Sequence, residues 1–167
     1  MTAPLDSEFM EQAIELALKA QQEDEIPVGA LVVYRNKVVG RGWNRSICCH
    51  DATHHAEIMA LREAGKNLQN YRLIDTTLYV TLEPCPMCAG AMVHARVARL
   101  VYGAFDLKTG AAGSVFNLVA DHHLNHQMEV VGGVEQERCA KLLSEFFRHR
   151  REVKRAAKKL KRSSQQS

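Results

Sequence analysis

The sequence predicts an α/β protein, a three-layer α/β/α sandwich around a mixed, roughly five-stranded sheet. Three observations carry that expectation. Apolar runs of strand length alternate with stretches of helical periodicity along most of the chain, the pattern of helices layered on a sheet. The first two strand-like runs are separated only by the polar turn Arg35-Asn36-Lys37, as in an antiparallel hairpin, so the sheet is not wholly parallel. Finally, 167 residues at 46% apolar composition suffice for one well-filled core, the size of one ordinary domain.

Each element has its own justification. SEFMEQAIELALKAQQ places Phe9, Ala13, Leu16, Ala17 and Ala20 on one helical face, with Asp6 or Ser7 as the cap. VGALVVYRNKVVGRGWN is the hairpin, and residues 45–52 form a loop. Thr53 is placed to cap a helix that runs to Gly65, whose missing side chain suits a helix end. TLYVTLE then reads as a buried strand, CPMCAGAMVHAR as a helix and RLVYGA as a strand. DLKTGAAGS reads as a glycine-rich loop and MEVVGGV as a strand, with a long last helix from Glu135 onward. Residues 1–162 are expected to form one domain, and 163–167, SSQQS, a disordered tail.

Charge is distributed unevenly. Residues 148–162, RHRREVKRAAKKLKR, hold nine Lys or Arg against Glu152 alone, a local +8 in a chain whose total is +3, so the remainder carries −5. Such a run is either a solvated helical tail or a contact for a polyanion. Asp6, Glu8, Glu11 and Glu15 interrupt the first twenty residues, so no continuous hydrophobic signal region exists there. No stretch approaches membrane-spanning length, and a soluble, cytoplasmic protein without membrane contact is expected. Five cysteines without an export signal argue for reduced thiols, some of them possible metal ligands.

Two of those thiols, Cys85 and Cys88 in LEPCPMCAG, stand three residues apart at a strand-to-helix junction, with Pro86 suited to the first helical turn. Free N–H groups at a helix start favour thiolate, the form that binds metal. A lone C-x-x-C also fits a redox pair or coincidence. The stretch DATHHAEIMALREAG decides between them. Two thiolates and one imidazole form an open, catalytic zinc site, and adjacent helical residues point about 100° apart, so only one of His54 and His55 is the favoured ligand. His55-Ala56-Glu57 followed by Pro84-Cys85-Pro86-Met87-Cys88 matches the H-x-E and P-C-x-x-C signature of zinc deaminases, which His54 does not. Glu57 is then the proton carrier. Its other reading, a capping-box partner, needs Ser or Thr at position 54.

With those residues in view, the chain resembles the bacterial tRNA-specific adenosine deaminases of the cytidine deaminase-like superfamily over nearly its whole length. EIPVGALVV, GWNR, NYRLIDTTLYVTLEPCPMCAGAMVHAR, DLKTGAAGS and LLSEFFRHRR are similar to that family in order and spacing. The resemblance implies a cytidine deaminase-like fold, one zinc ion per chain, a homodimer, and hydrolytic conversion of the wobble adenosine of a tRNA anticodon to inosine. It implies that Asn44 hydrogen-bonds the flipped-out nucleoside and that Val28 lines the base pocket. Asp106 and Lys108 would meet the RNA from the glycine-rich loop, and Phe147 and Arg148 would help to hold the anticodon loop. Read singly, Asn44 has the alternative of a strand-end or turn residue, Asp106 and Lys108 read more readily as ordinary loop charges, and Phe147 is an equally good core residue.

The chain departs from the family at Ser46 and Ala52, where proline is usual, and at His54, where alanine is usual; fewer prolines leave the loop before the zinc helix less restrained. His54 reads as solvent- or RNA-facing. Cys48, Cys49 and His50 could suggest a second metal site, but vicinal thiols chelate one ion awkwardly. Cys139 reads as core and DHHLNH (121–126) as a loop or partner surface. Two rivals remain. A free-nucleoside or free-base deaminase needs no +8 helix, and a non-enzymatic zinc RNA-binding module needs no Glu57.

Overall fold

The computed structural model describes residues 2–166. Its elements run α1 (Asp6–Gln22), β1 (Gly29–Tyr34), β2 (Lys37–Trp43), α2 (Ala56–Leu68), β3 (Thr76–Leu82), α3 (Pro86–His94), β4 (Arg99–Ala104), β5 (Glu129–Gly132) and α4 (Gln136–Ser164). The five-stranded sheet has the order β2-β1-β3-β4-β5. β1 is antiparallel to both β2 and β3, whereas β3, β4 and β5 are parallel. Arg35 and Asn36 carry φ of 51° and 61°, so the hairpin closes through a two-residue turn and Lys37 already pairs with Tyr34.

Side chains on a strand alternate between faces, and here each face meets a different pair of helices. Ala30, Val32, Leu78, Val80, Leu100 and Tyr102 pack with α2 and α3. Leu31, Val33, Tyr79, Val101 and Val131 pack with α1 and the first turns of α4. The result is the expected three-layer sandwich.

The placement of α2 follows from small residues. Ala56, Ala60 and Ala64 recur every fourth position and are fully buried. Opposite them lie Gly40 and Gly42 of β2, where an added Cβ would fall 2.2 Å from the Ala60 carbonyl oxygen and 2.1 Å from that of Ala56. The helix therefore rests directly on the strand backbone, which sets the depth of its first turn.

Several boundaries differ from expectation. α2 begins at Ala56, with His55 rather than Thr53 as the residue before it, because Thr53 turns its hydroxyl and its N–H onto Asp51 Oδ1. Gly65 lies inside α2, and Gln69 ends it in the left-handed conformation at φ 51°. At α1 neither Asp6 nor Ser7 is the cap. Asp6 is the first helical residue, fully buried, and its carboxylate accepts bonds from Arg99 (2.7 and 2.8 Å), the Tyr79 hydroxyl (2.7 Å) and the Ala3 N–H (2.7 Å). A buried carboxylate recruits donors from across the sheet in preference to a single local N–H. α4 runs through Ser164, into the segment expected to be disordered; of that segment, Ser167 lies outside the described residues.

Candidate active site

Two helix N-termini meet at the site. His55, extended at φ −87° and ψ 154°, immediately precedes α2, and Cys85, at φ −73° and ψ 171°, immediately precedes α3. Pro86 opens α3 because it needs no N–H there, and Cys88 lies in the same first turn, fully buried. His55 Nδ1 is 3.6 Å from Cys85 Sγ and 3.5 Å from Cys88 Sγ. Zinc bonded tetrahedrally at about 2.3 Å to sulfur and about 2.0 Å to nitrogen requires an N···S separation of about 3.5 Å. Both histidine-to-sulfur separations thus match zinc, the three donor atoms lie within 4.8 Å of one another, and three protein ligands leave a fourth position for water or substrate.

Protonation in the trio suits a cation as well. The hydrogen bond from the Cys88 thiol, helped by His55, brings Cys85 down to about 4 against the opposing effect of burial. The same bond to Cys85, followed by burial, pushes Cys88 upward, and the bond to Cys85 raises His55. A proton shared among buried sulfur and nitrogen donors is what an incoming cation displaces.

Glu57 lies in the first turn of α2, two residues beyond His55, and is 4% exposed. Burial pushes its carboxyl above the usual carboxylate range. It opens onto a cleft of about 140 Å³ together with His55, Cys85, Val28, Asn44 and Asp106. Asn44 directly follows β2, with its side-chain oxygen accepting the Ala56 N–H at 2.8 Å, which leaves the amide NH₂ available to a bound base. The cleft thus combines an apolar wall, an amide donor, an acid and a metal-fitting donor set.

Residues 4–104 match the family model of the cytidine and deoxycytidylate deaminase zinc-binding region. The chain belongs to this deaminase family. It is 55% identical over 160 residues to the tRNA-specific adenosine deaminase of Haemophilus influenzae, covering 95% of this chain and 92% of that one. It is 46% identical to the Bacillus subtilis tRNA-specific adenosine deaminase, covering 92% and 96%. Among solved structures, a tRNA:A34 deaminase studied for A-to-I editing at the wobble position superposes with a TM-score of 0.79 at 41% identity, covering 82% of this chain and 99% of that one. A guanine deaminase from Nitrosomonas europaea superposes at 0.74 with 25% identity, covering 87% and 85%.

The deaminase cleft also contains residues that sequence reasoning did not single out: Ile26, Leu82, Glu83 and Thr109. Glu83 is 1% exposed and accepts the N–H groups of Asp106 (3.2 Å), Ala112 (3.0 Å) and Ser114 (3.1 Å), besides the Ser114 hydroxyl. It thereby folds the glycine-rich loop over the cleft. Gly110 is required there, since a Cβ would lie 2.5 Å from the Glu83 carboxylate. Glu25, equally buried, does the same for the loop before α2 by accepting the N–H of Ile47 (2.7 Å) and of Cys48 (3.1 Å). A buried acid in a strand or turn is the only sequence signal either left.

Lys108, Phe147 and Arg148 do not line the cleft. Lys108 is exposed on the glycine-rich loop, its N–H bonded to Asp106 Oδ1. On α4 it is Phe146 that enters the core, while Phe147 is 40% exposed and meets the Phe146 ring edge-on at 5.5 Å, with Arg148 in solvent beside it. His54 is outside the donor trio, and Cys48 and Cys49 are exposed with their sulfurs 3.8 Å apart. Asp121, His122 and His123 bring possible donors together on an exposed turn where the sequence assigns no metal; Asp121 Oδ1 is already bonded to His123 Nδ1 at 2.9 Å.

Proposed function

We propose that the protein deaminates the wobble adenosine of a tRNA anticodon to inosine, using one zinc ion held by His55, Cys85 and Cys88. The observation that carries the chemistry is the buried Glu57 carboxyl beside that open three-donor set. Support for the substrate comes from relatives named tRNA-specific adenosine deaminase that match nearly end to end. The rival free-base reading has support in the guanine deaminase likeness, but at much lower identity.

Bound zinc supplies a Lewis acid that brings the pKa of water down to about 7. The chain's residues do the rest. Asn44 offers its NH₂ to the polar edge of the extruded nucleoside while Val28 packs on the base, and Asp106 bounds the cleft opposite. Glu57 accepts a proton from water as the water oxygen bonds to C6 and passes it to N1; it then takes the remaining proton from the C6 hydroxyl and delivers it to the amine as the C6–N bond breaks and the C6 carbonyl forms. Water and adenosine become ammonia and inosine. Burial of Glu57 serves this cycle, because it holds the carboxyl above the usual carboxylate range and so eases its return to the protonated form between transfers. Lys108, Phe147, Arg148 and the cations beyond them meet RNA outside the cleft, the aromatic ring offering a stacking face.

The reading carries with it one domain over residues 1–162, a cytoplasmic location and a homodimer. In favour of the dimer, an apolar hollow of about 530 Å³ lies between α2 and α3, bordered by Ile58, Leu61 and Tyr71. No helix among the described residues is long and apolar enough to cross a membrane. The deciding experiment measures inosine formation in an anticodon stem-loop against turnover of free adenosine, cytidine and guanine. Turnover confined to the stem-loop is expected; turnover of a free base or nucleoside alone would overturn the RNA substrate.

A further inference from the structure

We infer that a basic groove between the edge strand β2 and the outer face of α2 is a second RNA-binding surface, which holds phosphates of the strand flanking the target nucleotide. This deepens the proposed RNA substrate and rests on it. The groove encloses about 390 Å³, with Arg41 and Arg45 on one side, Arg62 and Lys66 on the other, and His54 between them; Glu63 is its one carboxylate. Arg45 is held by Glu23 at 2.8 Å. Arg41, Arg62 and Lys66 are exposed, and among the described residues none of the three has an ion-pair partner.

Solvated cations repel one another and ordinarily spread over a surface. Here they converge. Met59, Arg62, Glu63 and Lys66 share one face of α2, with Arg62 and Lys66 one turn, about 6 Å, apart. The side-chain-free contact of Gly40 and Gly42 with α2 brings that face up to Arg41. Protection of an edge strand from pairing accounts for Arg41. It does not account for the two cations that the helix adds opposite, neither of them in a salt bridge and Arg62 acting only at a distance on the Asp51 carboxylate, which a polyanion would neutralise.

Position favours RNA over an acidic protein. The Arg45 N–H donates to the His54 carbonyl at 3.2 Å, closing the loop between them. Their chain neighbours Asn44 and His55 line the active cleft. Groove and cleft are therefore two sides of one loop, and a strand whose base enters the cleft lays its adjoining phosphates on that rim. The groove is also independent of the basic run on α4, since α2 and α4 pack on opposite faces of the sheet.

The test compares R41Q/R62Q/K66Q with a control of equal charge change, R35Q/K37Q/K141Q, in equilibrium binding of an anticodon stem-loop across a salt series. Zinc content and oligomeric state report the integrity of both proteins, since Arg62 also borders the hollow between α2 and α3. Three lost contacts to single-stranded RNA should flatten the log–log salt slope by about 2 and lower low-salt affinity at least roughly tenfold, with the control close to wild type. If the triple variant fails to retain zinc, K66Q alone, at an exposed position, should flatten the slope by about 0.7. Affinity and slope equal to the control's would overturn the groove while leaving the deaminase reading intact. Absence of stem-loop binding and deamination by the wild type would instead remove the RNA substrate, and the groove with it.

Discussion

Asn44 Oδ1 accepts the backbone N–H of Ala56 at 2.8 Å, so one side chain just past the end of β2 both borders the base cleft and caps the helix that carries Glu57. The cap is non-local: His55, the residue at the helix boundary, makes no capping bond of its own. Binding and positioning converge on Asn44, and two substitutions separate them. Asn44→Ala should lower stability by about 1 kcal/mol in denaturant titration and abolish stem-loop deamination. Asn44→Asp keeps the accepting oxygen and removes the donor, so stability should stay close to wild type while deamination is lost. Equal destabilisation by both would show that the hydrogen bond to Ala56 is not what holds the helix.

Glu57→Gln should retain fold and zinc yet reduce single-turnover deamination at least about a hundredfold, because an amide cannot relay protons. Metal analysis beside the kinetics checks that chemistry alone is lost. Wild-type turnover in this variant would contradict the proton-carrier role.

Zinc content should distinguish the two histidines. His55→Ala should purify with little zinc and His54→Ala with about one ion per chain, since only His55 places a nitrogen 3.5–3.6 Å from both thiol sulfurs. The reverse pattern would exchange their assignments.

Truncation after Glu152 removes six cations from a segment of α4 whose side chains are all exposed, so the core should not change. Stem-loop affinity should fall and the salt slope flatten by up to about 4, with zinc content intact and deamination largely retained at saturating RNA. An unchanged slope would make the tail a solvated helix end.

Acid stability should depend on Asp6. Burial raises its carboxyl, but bonds from Arg99, the Ala3 N–H and Tyr79 outweigh that and bring it to about 2, below the ordinary 3.8. The stabilisation is therefore complete above about pH 4 and is lost as pH falls through about 2, amounting to about 2 kcal/mol. In urea melts, the stability gap between wild type and Asp6→Asn should be constant from pH 7 to 5 and close below pH 4. A gap independent of pH would mean that Asp6 contributes by packing alone.

The sequence by itself determined the alternation of helices and strands, the hairpin, and the metal trio with its acid. These are legible because their information is local. Hydrophobic period reports helix or strand, proline after Cys85 reports a helix start, and the two-residue step from His55 to Glu57 puts one just before α2 and the other in its first turn. Only the tertiary structure decided what long-range partners do. Thr53 looked like the cap of α2 until Asp51 claimed its hydroxyl and Asn44, twelve residues upstream, supplied the oxygen. Glu83 reaches donors 23 to 31 residues on, Asp6 meets Arg99 across 93, and Arg41 faces Arg62 and Lys66 only because two glycines let α2 descend onto β2. An acid or a cation has no periodicity of its own. Its role is set by whichever hydrogen-bond groups and charges the folded backbone brings within about 3 Å, and those are specified by the packing of the sheet and helices, not by neighbours in the chain.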